Sequence, residues 1–167
     1  MKNGMSAKDV IDLYKKLEDL DIKIWIDGGW AVDAHVGTQT RPHEDLDIAV
    51  ERIHLTQLRE YLESQGYREV SIHDDKKWDL VLNNENGDQV EIHAFDLDTN
   101  MSVVTQEDWD GYSGNSLTGT GLIDGHTVRC VSLEQILKTH DANKRKFKSS
   151  DHKDLAVLVK KFGIDLL

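Results

Sequence analysis

Residues 22–50 read IKIWIDGGWAVDAHVGTQTRPHEDLDIAV, and few arrangements satisfy them. IKIWI (22–26) is a β-branched and aromatic run with the character of a strand. Gly28 and Gly29 break it. WAVDAHV (30–36) then reads as a short helix, which Gly37 ends. LDIAV (46–50) is a second strand, entered by Asp45. Residues i and i+2 of a strand face the same side, so Asp45 and Asp47 project together while Leu46 and Ile48 turn to the core. Two carboxylates so close push one pKa upward unless positive charge sits between them.

A divalent cation meets that need. Oxygen ligands suit Mg²⁺, which takes one or two carboxylates together with substrate phosphates. Asp-Leu-Asp by itself fits two solvated carboxylates at a strand end just as well. The upstream glycines change the balance. Glycine lets backbone approach a phosphate, and a helix N-terminus offers N–H groups and partial positive charge. Gly28 and Gly29 followed by Asp45 and Asp47 thus join a phosphate cradle to a metal site, the two needs of nucleoside-triphosphate chemistry. The segment contains neither G-x-x-x-x-G-K-[ST] nor G-x-G-x-x-G, which excludes a P-loop and a dinucleotide fold.

The rest of the chain alternates helices and strands. Residues 6–20 read as a helix capped by Ser6 and Asp9, with Val10, Leu13, Leu17 and Leu20 as its buried stripe. Residues 54–65 read as a helix closed by Gly66. YREVSI (67–72), WDLVL (78–82) and VEIHAF (90–95) read as strands, the last two joined as a hairpin through Asn-Gly. A polar, Gly-rich loop follows at 106–116, then a strand pair around Asp124-Gly125. Ser132 caps a helix running to about His140, residues 141–150 form a basic loop, and 151–162 form the last helix. This order predicts one domain over residues 1–167, of α/β (α+β) class, with a mixed β-sheet flanked by helices.

Charge narrows the partners. Against 20 Lys and Arg stand 31 Asp and Glu, a net charge of −11. Phosphate-backbone recognition needs clustered cations, so no nucleic acid partner is expected. No apolar stretch reaches the roughly 20 residues of a membrane span, and MKNGMSAKDV has no apolar leader core, so a cytoplasmic protein without membrane contact is expected. The one cysteine, Cys130, lies in an apolar strand and reads as core, and the histidines lack zinc-ligand spacing.

The stretch from Trp25 to Val50 resembles the DNA polymerase β-type nucleotidyltransferase superfamily. More closely it is similar to the small antibiotic nucleotidyltransferases, the lincosamide and aminoglycoside 2″ enzymes. Gly28, Gly29, Trp30, Asp33, Thr40, Arg41, His43, Asp45 and Asp47 carry that resemblance. It implies the nucleotidyltransferase fold and transfer of a nucleoside monophosphate from ATP, or another nucleoside triphosphate, to a hydroxyl of a small acceptor. A lincosamide is the first choice of acceptor and an aminoglycoside the second. A non-catalytic nucleotide-binding module is the alternative from another class, and the intact acidic residues argue against it. The resemblance also extends to a homodimer, on which the patterning itself is silent.

Roles follow from the resemblance. Asp45 and Asp47 would hold two Mg²⁺ ions, with Asp47 bridging them. Glu91, on VEIHAF, stands where several relatives have Asp, as a third metal ligand or as the base for the acceptor hydroxyl. Gly28, Gly29, Arg41 and His43 would serve the nucleotide. Arg41 is read either as a triphosphate contact or as a partner of Asp33, His43 as orienting the Asp pair or a phosphate, and Trp30 as core. In DANKRKFKSSDHKD, Lys144 and Lys148 are chosen as cations for the triphosphate. Asp74, Asp75, Trp78, Asp79, Glu107, Asp108, Trp109 and Tyr112 are candidates for an acidic, aromatic acceptor wall.

Overall fold

The computed structural model describes residues 4–70 and 79–165. Helix α1 (Ala7–Asp19) starts where Ser6 and Asp9 exchange the two hydrogen bonds of a capping box. Its buried face is Val10, Ile11, Tyr14 and Leu17, while Leu13 and Leu20 pack half-buried at its margin. The expected stripe is thus rotated. Tyr14 lies inside because its hydroxyl accepts the backbone N–H of Arg129 at 3.1 Å. β1 (Ile24–Asp27) leads directly into α2 (Gly28–Val36), which begins two residues before Trp30 because Asp27 serves as its N-cap. Gly37, at φ 92°, ends it in the left-handed conformation.

β2 (Leu46–Glu51) is followed by a short 3₁₀ turn and α3 (Leu55–Ser64). β3 (Arg68–Glu69), β4 (Asp79–Asn83) and β5 (Gln89–Phe95) come next. The ends of two predicted strands, Ser71-Ile72 and Trp78, lie outside the described residues, as do Asp74 and Asp75. β6 (Gly119–Ile123) and β7 (His126–Cys130) are joined by Asp124 and Gly125 at φ 49° and 73°, the double positive φ that a two-residue hairpin needs. α4 (Leu133–Thr139) is capped by Ser132, and α5 (Ser149–Phe162) closes the chain.

The strands form one mixed sheet in the order β3-β4-β5-β2-β1-β7-β6. β2 runs parallel to β5 and β1 parallel to β7, and the remaining neighbours are antiparallel. Strand period decides what faces what. Ile24, Ile26, Leu46, Ile48, Val90 and Ile92 are fully buried in the core. Their alternates, Asp27, Asp47, Glu91 and His93, are only half-buried and share the opposite face. At about 25 cal/mol per Å² of apolar area, the buried set commits each strand to one register, because a one-residue slip would put the acids into the core.

Candidate active site

That register aligns three carboxylates. Asp27 pairs with Asp47 across β1 and β2, and Asp47 pairs with Glu91 across β2 and β5. They form a row over three neighbouring strands, with Asp45 just before β2. His93 stands two residues beyond Glu91 on the same face. Its Nε2 lies 3.3 Å from Asp47 Oδ1 and its Nδ1 lies 3.1 Å from Asp79 Oδ1. Carboxylates only accept, so both ring nitrogens donate. Ligand atoms of Asp47, Glu91 and His93 lie within 4.8 Å of one another. Asp45 is outside that trio but lines the same cavity.

The two glycines admit two different close approaches. Gly28 has φ 61°, and a Cβ there would stand 2.3 Å from Asp47 Oδ2. A Cβ on Gly29 would stand 2.5 Å from His43 Nδ1 and 2.7 Å from Arg41 Nη2. The helix start is therefore pressed against the carboxylate on one side and the guanidinium on the other. Asp27 accepts the Gly28 N–H at 2.7 Å and the Tyr112 hydroxyl at 2.6 Å, which ties the 106–116 loop to the strand end.

Electrostatics mark the row as short of positive charge. Burial, then the Asp47 charge, pushes the Asp45 carboxyl up to about 6 against the pull of Lys148. Burial, then Asp47 and Asp45, pushes Glu91 up to about 7. Burial also raises Asp27, partly offset by His93 and its two hydrogen bonds. For His93, burial works against the charge, but the hydrogen bonds to Asp47 and Asp79 prevail and hold it well above its ordinary value. Carboxyls raised by burial and by one another's charge, with oxygen donors converging from two strands, fit a hard divalent cation.

These groups line one cavity of about 430 Å³. Its wall also holds the cations Arg41, Arg145 and Lys148. Of the residues singled out in the sequence, Asp45, Asp47, Glu91, Gly28, Gly29, Arg41 and Lys148 meet here. His43 and Lys144 do not line it. His43 is buried, its Nε2 engages Asp33, and it packs 4.6 Å from the Trp30 ring. Lys144 is exposed on the 141–148 loop. Arg41 is partnered not by Asp33 but by Asp154, 113 residues away, through Nε at 2.8 Å and Nη2 at 2.9 Å. Asp33 instead accepts from Thr40, at its backbone N–H and its hydroxyl. Trp30 is core, 1% exposed. Asp79, Asp108, Trp109 and Tyr112 border the cavity, Tyr112 with its hydroxyl on Asp27, whereas Glu107 is not part of the lining.

Sequence reasoning gave no role to Asp27, His140, Asp151 or Asp154, counted Arg145 in the basic cluster without choosing it, and noted His93 only as a neighbour. Asp27 and His93 had a legible signal, since each sits at odd spacing from the buried core residues of its strand, on the face away from the core, close to a chosen site residue. The others come from the last two helices and the loop between them, and no local pattern ties those to β2.

A mixed sheet that sets strand-end carboxylates against a Gly-Gly helix start defines a nucleotidyltransferase fold. The chain belongs to the aminoglycoside-2''-adenylyltransferase family, whose model matches residues 9–158. It is 28% identical to a lincosamide resistance protein of Staphylococcus haemolyticus over 83% of this chain and 86% of that one. It is 27% identical to a 2''-aminoglycoside nucleotidyltransferase of Escherichia coli over 80% of this chain and 73% of that one. Among solved structures, the lincomycin-bound lincosamide antibiotic adenylyltransferase LnuA superposes with TM-score 0.80 at 24% identity, over 94% of this chain and 98% of that one. ANT(2'')-Ia in complex with adenylyl-2''-tobramycin superposes with TM-score 0.73 at 18% identity, over 92% and 87%. These two likenesses establish the fold. Among the described residues no helix is long and apolar enough to cross a membrane.

Proposed function

We propose that the chain transfers AMP from ATP to a hydroxyl of a small acceptor, a lincosamide, and releases pyrophosphate. The observation that carries this reading is the union, in one cavity, of Asp45, Asp47 and Glu91 with Arg41, Arg145 and Lys148. A polyphosphate needs both sets of groups: carboxylates for its metal ions and cations for its own charge. Asp45, Asp47 and Glu91 would hold Mg²⁺, two ions in all, and bound there the metal supplies charge stabilisation for an in-line displacement at phosphorus.

The chain's own residues do the rest. Arg41, Arg145 and Lys148 bind and orient the polyphosphate. The start of α2 at Gly28 and Gly29 borders the same cavity, where the partial positive charge of a helix N-terminus favours the polyphosphate. The acceptor oxygen attacks the α-phosphorus, the bond from that phosphorus to the bridging oxygen breaks, and pyrophosphate leaves. Glu91 takes the hydroxyl proton at a carboxylate oxygen.

The lincosamide choice rests on the Staphylococcus relative, of which the chain covers more than it does of the Escherichia coli one. Asp79 and Asp108 on the cavity wall favour a second reading, a polycationic aminoglycoside. Mass spectrometry of the acceptor after incubation with ATP and Mg²⁺ separates the two. Lincomycin gains one AMP on the first reading, tobramycin or kanamycin on the second, and no modified drug in any of the three would refute both.

A further inference from the structure

Arg41 and Arg145 reach the cavity from distant parts of the chain, yet both are gripped by one helix. Asp151 and Asp154 stand three residues apart on α5 and therefore share a face. Asp154 takes Arg41 through Nε and Nη2, and Arg41 Nη1 donates to Pro42 O at 3.1 Å. Asp151 takes Arg145 through Nη1 at 2.8 Å and Nη2 at 2.6 Å, while Arg145 Nε donates to Thr139 O at 2.9 Å. His140 lies between them, its Nε2 3.7 Å from Asp151 Oδ1 and 3.6 Å from Asp154 Oδ2. Asp151 Oδ2 also accepts the backbone N–H of Lys148 at 2.7 Å. Both aspartate side chains are buried, at 9% and 3% exposure.

A guanidinium has five N–H donors, so each arginine, with three bonds made, keeps two donors beyond those bonds, and both residues line the cavity. We propose that Asp151 and Asp154 are positioning residues that hold Arg145 and Arg41 as a preset pair of cationic donors for the polyphosphate of the nucleotide. The inference rests on the nucleotidyltransferase reading above. It makes α5 part of the phosphate-binding apparatus. Locking a guanidinium before the ligand arrives removes an ordering cost that binding would otherwise bear. Asp154 has a second effect. The other carboxylates that act on Arg41 are Asp33 and Asp45. Asp33 is committed to Thr40 and His43. Released from Asp154, the guanidinium falls toward Asp45 and takes a carboxylate that the metal needs.

Calorimetric titration of the full chain with inorganic tripolyphosphate and Mg²⁺ tests this. Wild type binds, and Asp154→Asn and Asp151→Asn each weaken binding by roughly tenfold or more. Asp154→Glu, which keeps a carboxylate on the same turn, recovers part of the loss. In an Arg41→Ala background Asp154→Asn has no further effect, because its influence passes through Arg41. In turnover assays the nucleotide KM rises while the acceptor KM holds. Should an Asn variant unfold, Arg41→Lys makes the same comparison, since it keeps the charge and loses the fork. Folded Asn variants, or Arg41→Lys, that bind tripolyphosphate as wild type does would overturn the positioning role. So would an equal loss from Asp154→Asn with and without Arg41. Failure of wild type itself to bind would overturn the phosphate reading of the cavity, and the proposal with it.

Discussion

Gly28 lies so tightly beneath Asp47 that a Cβ built on it would stand 2.3 Å from Asp47 Oδ2. The glycine is required twice, once for this approach and once for its φ of 61°. Gly28→Ala must strain the turn and push the carboxylate out of the row. The left-handed backbone alone costs roughly 1–2 kcal/mol. A displacement near 1 Å at a reacting group costs about 100-fold in rate. The expected result is a modest fall in Tm with a much larger fall in kcat/KM. Activity and Tm measured on the same preparation check it, and an active, equally stable Gly28→Ala contradicts it.

Tyr112 places one hydroxyl, and Asp27 depends on it. Asp27, half-buried at the strand end, accepts two hydrogen bonds, one of them from Tyr112. Tyr112→Phe keeps the ring packed against Phe95, 6.3 Å between centroids, and removes only the donor. Losing one hydrogen bond from a half-buried carboxylate that keeps another costs about 1 kcal/mol. Urea denaturation should show that loss with an unchanged m-value. A shift under a few tenths of a kcal/mol would show that the hydroxyl is not holding the strand end.

The acidic row predicts how stability responds to pH and to cations. Glu91 is raised from 4.5 to about 7 and Asp45 from 3.8 to about 6. In the unfolded chain both lose their protons near their ordinary values, so between there and 6–7 the folded state holds more protons. Stability is therefore fully present below about pH 4 and falls as pH rises through 6 to 7. His93, held well above 6.5, adds a loss in the same direction at higher pH. A cation among the carboxylates supplies the missing charge and reverses the loss. Mg²⁺ should raise Tm more at pH 8 than at pH 5.5. Thermal scans across that range check it, and a gain that is equal at both pH values, or absent, contradicts it.

Much of this site was legible because its parts are local. Gly28, Gly29, Asp45 and Asp47 fall within one short segment, and strand period alone puts the two aspartates on one face. The helix caps at Ser6 and Ser132 and the turn at Asp124-Gly125 follow from side-chain chemistry at fixed offsets. What could not be read depends on register or on long-range pairing. Nothing in the sequence aligns Asp27 with Asp47 and Glu91 until β1, β2 and β5 are set side by side. Arg41 was assigned to Asp33 because Asp33 is near in sequence, yet the fold brings Asp154 to it from the last helix. His43 looked like part of the acidic site because it is two residues from Asp45. Its ring turns the other way, into the pocket formed by Trp30 and Asp33. Lys144 and Lys148 were equivalent in a basic loop, and only the start of α5 at Ser149 brings Lys148 to the cavity.

The most direct test is acceptor-dependent pyrophosphate release in wild type and Asp47→Asn, with ATP and Mg²⁺ and with lincomycin, clindamycin, kanamycin or tobramycin as acceptor. The row of carboxylates predicts release that requires one drug class and disappears in Asp47→Asn, while that variant keeps a wild-type Tm or gains a little from lost repulsion. A folded Asp47→Asn that still releases pyrophosphate with the drug would show that the transfer does not run through this row.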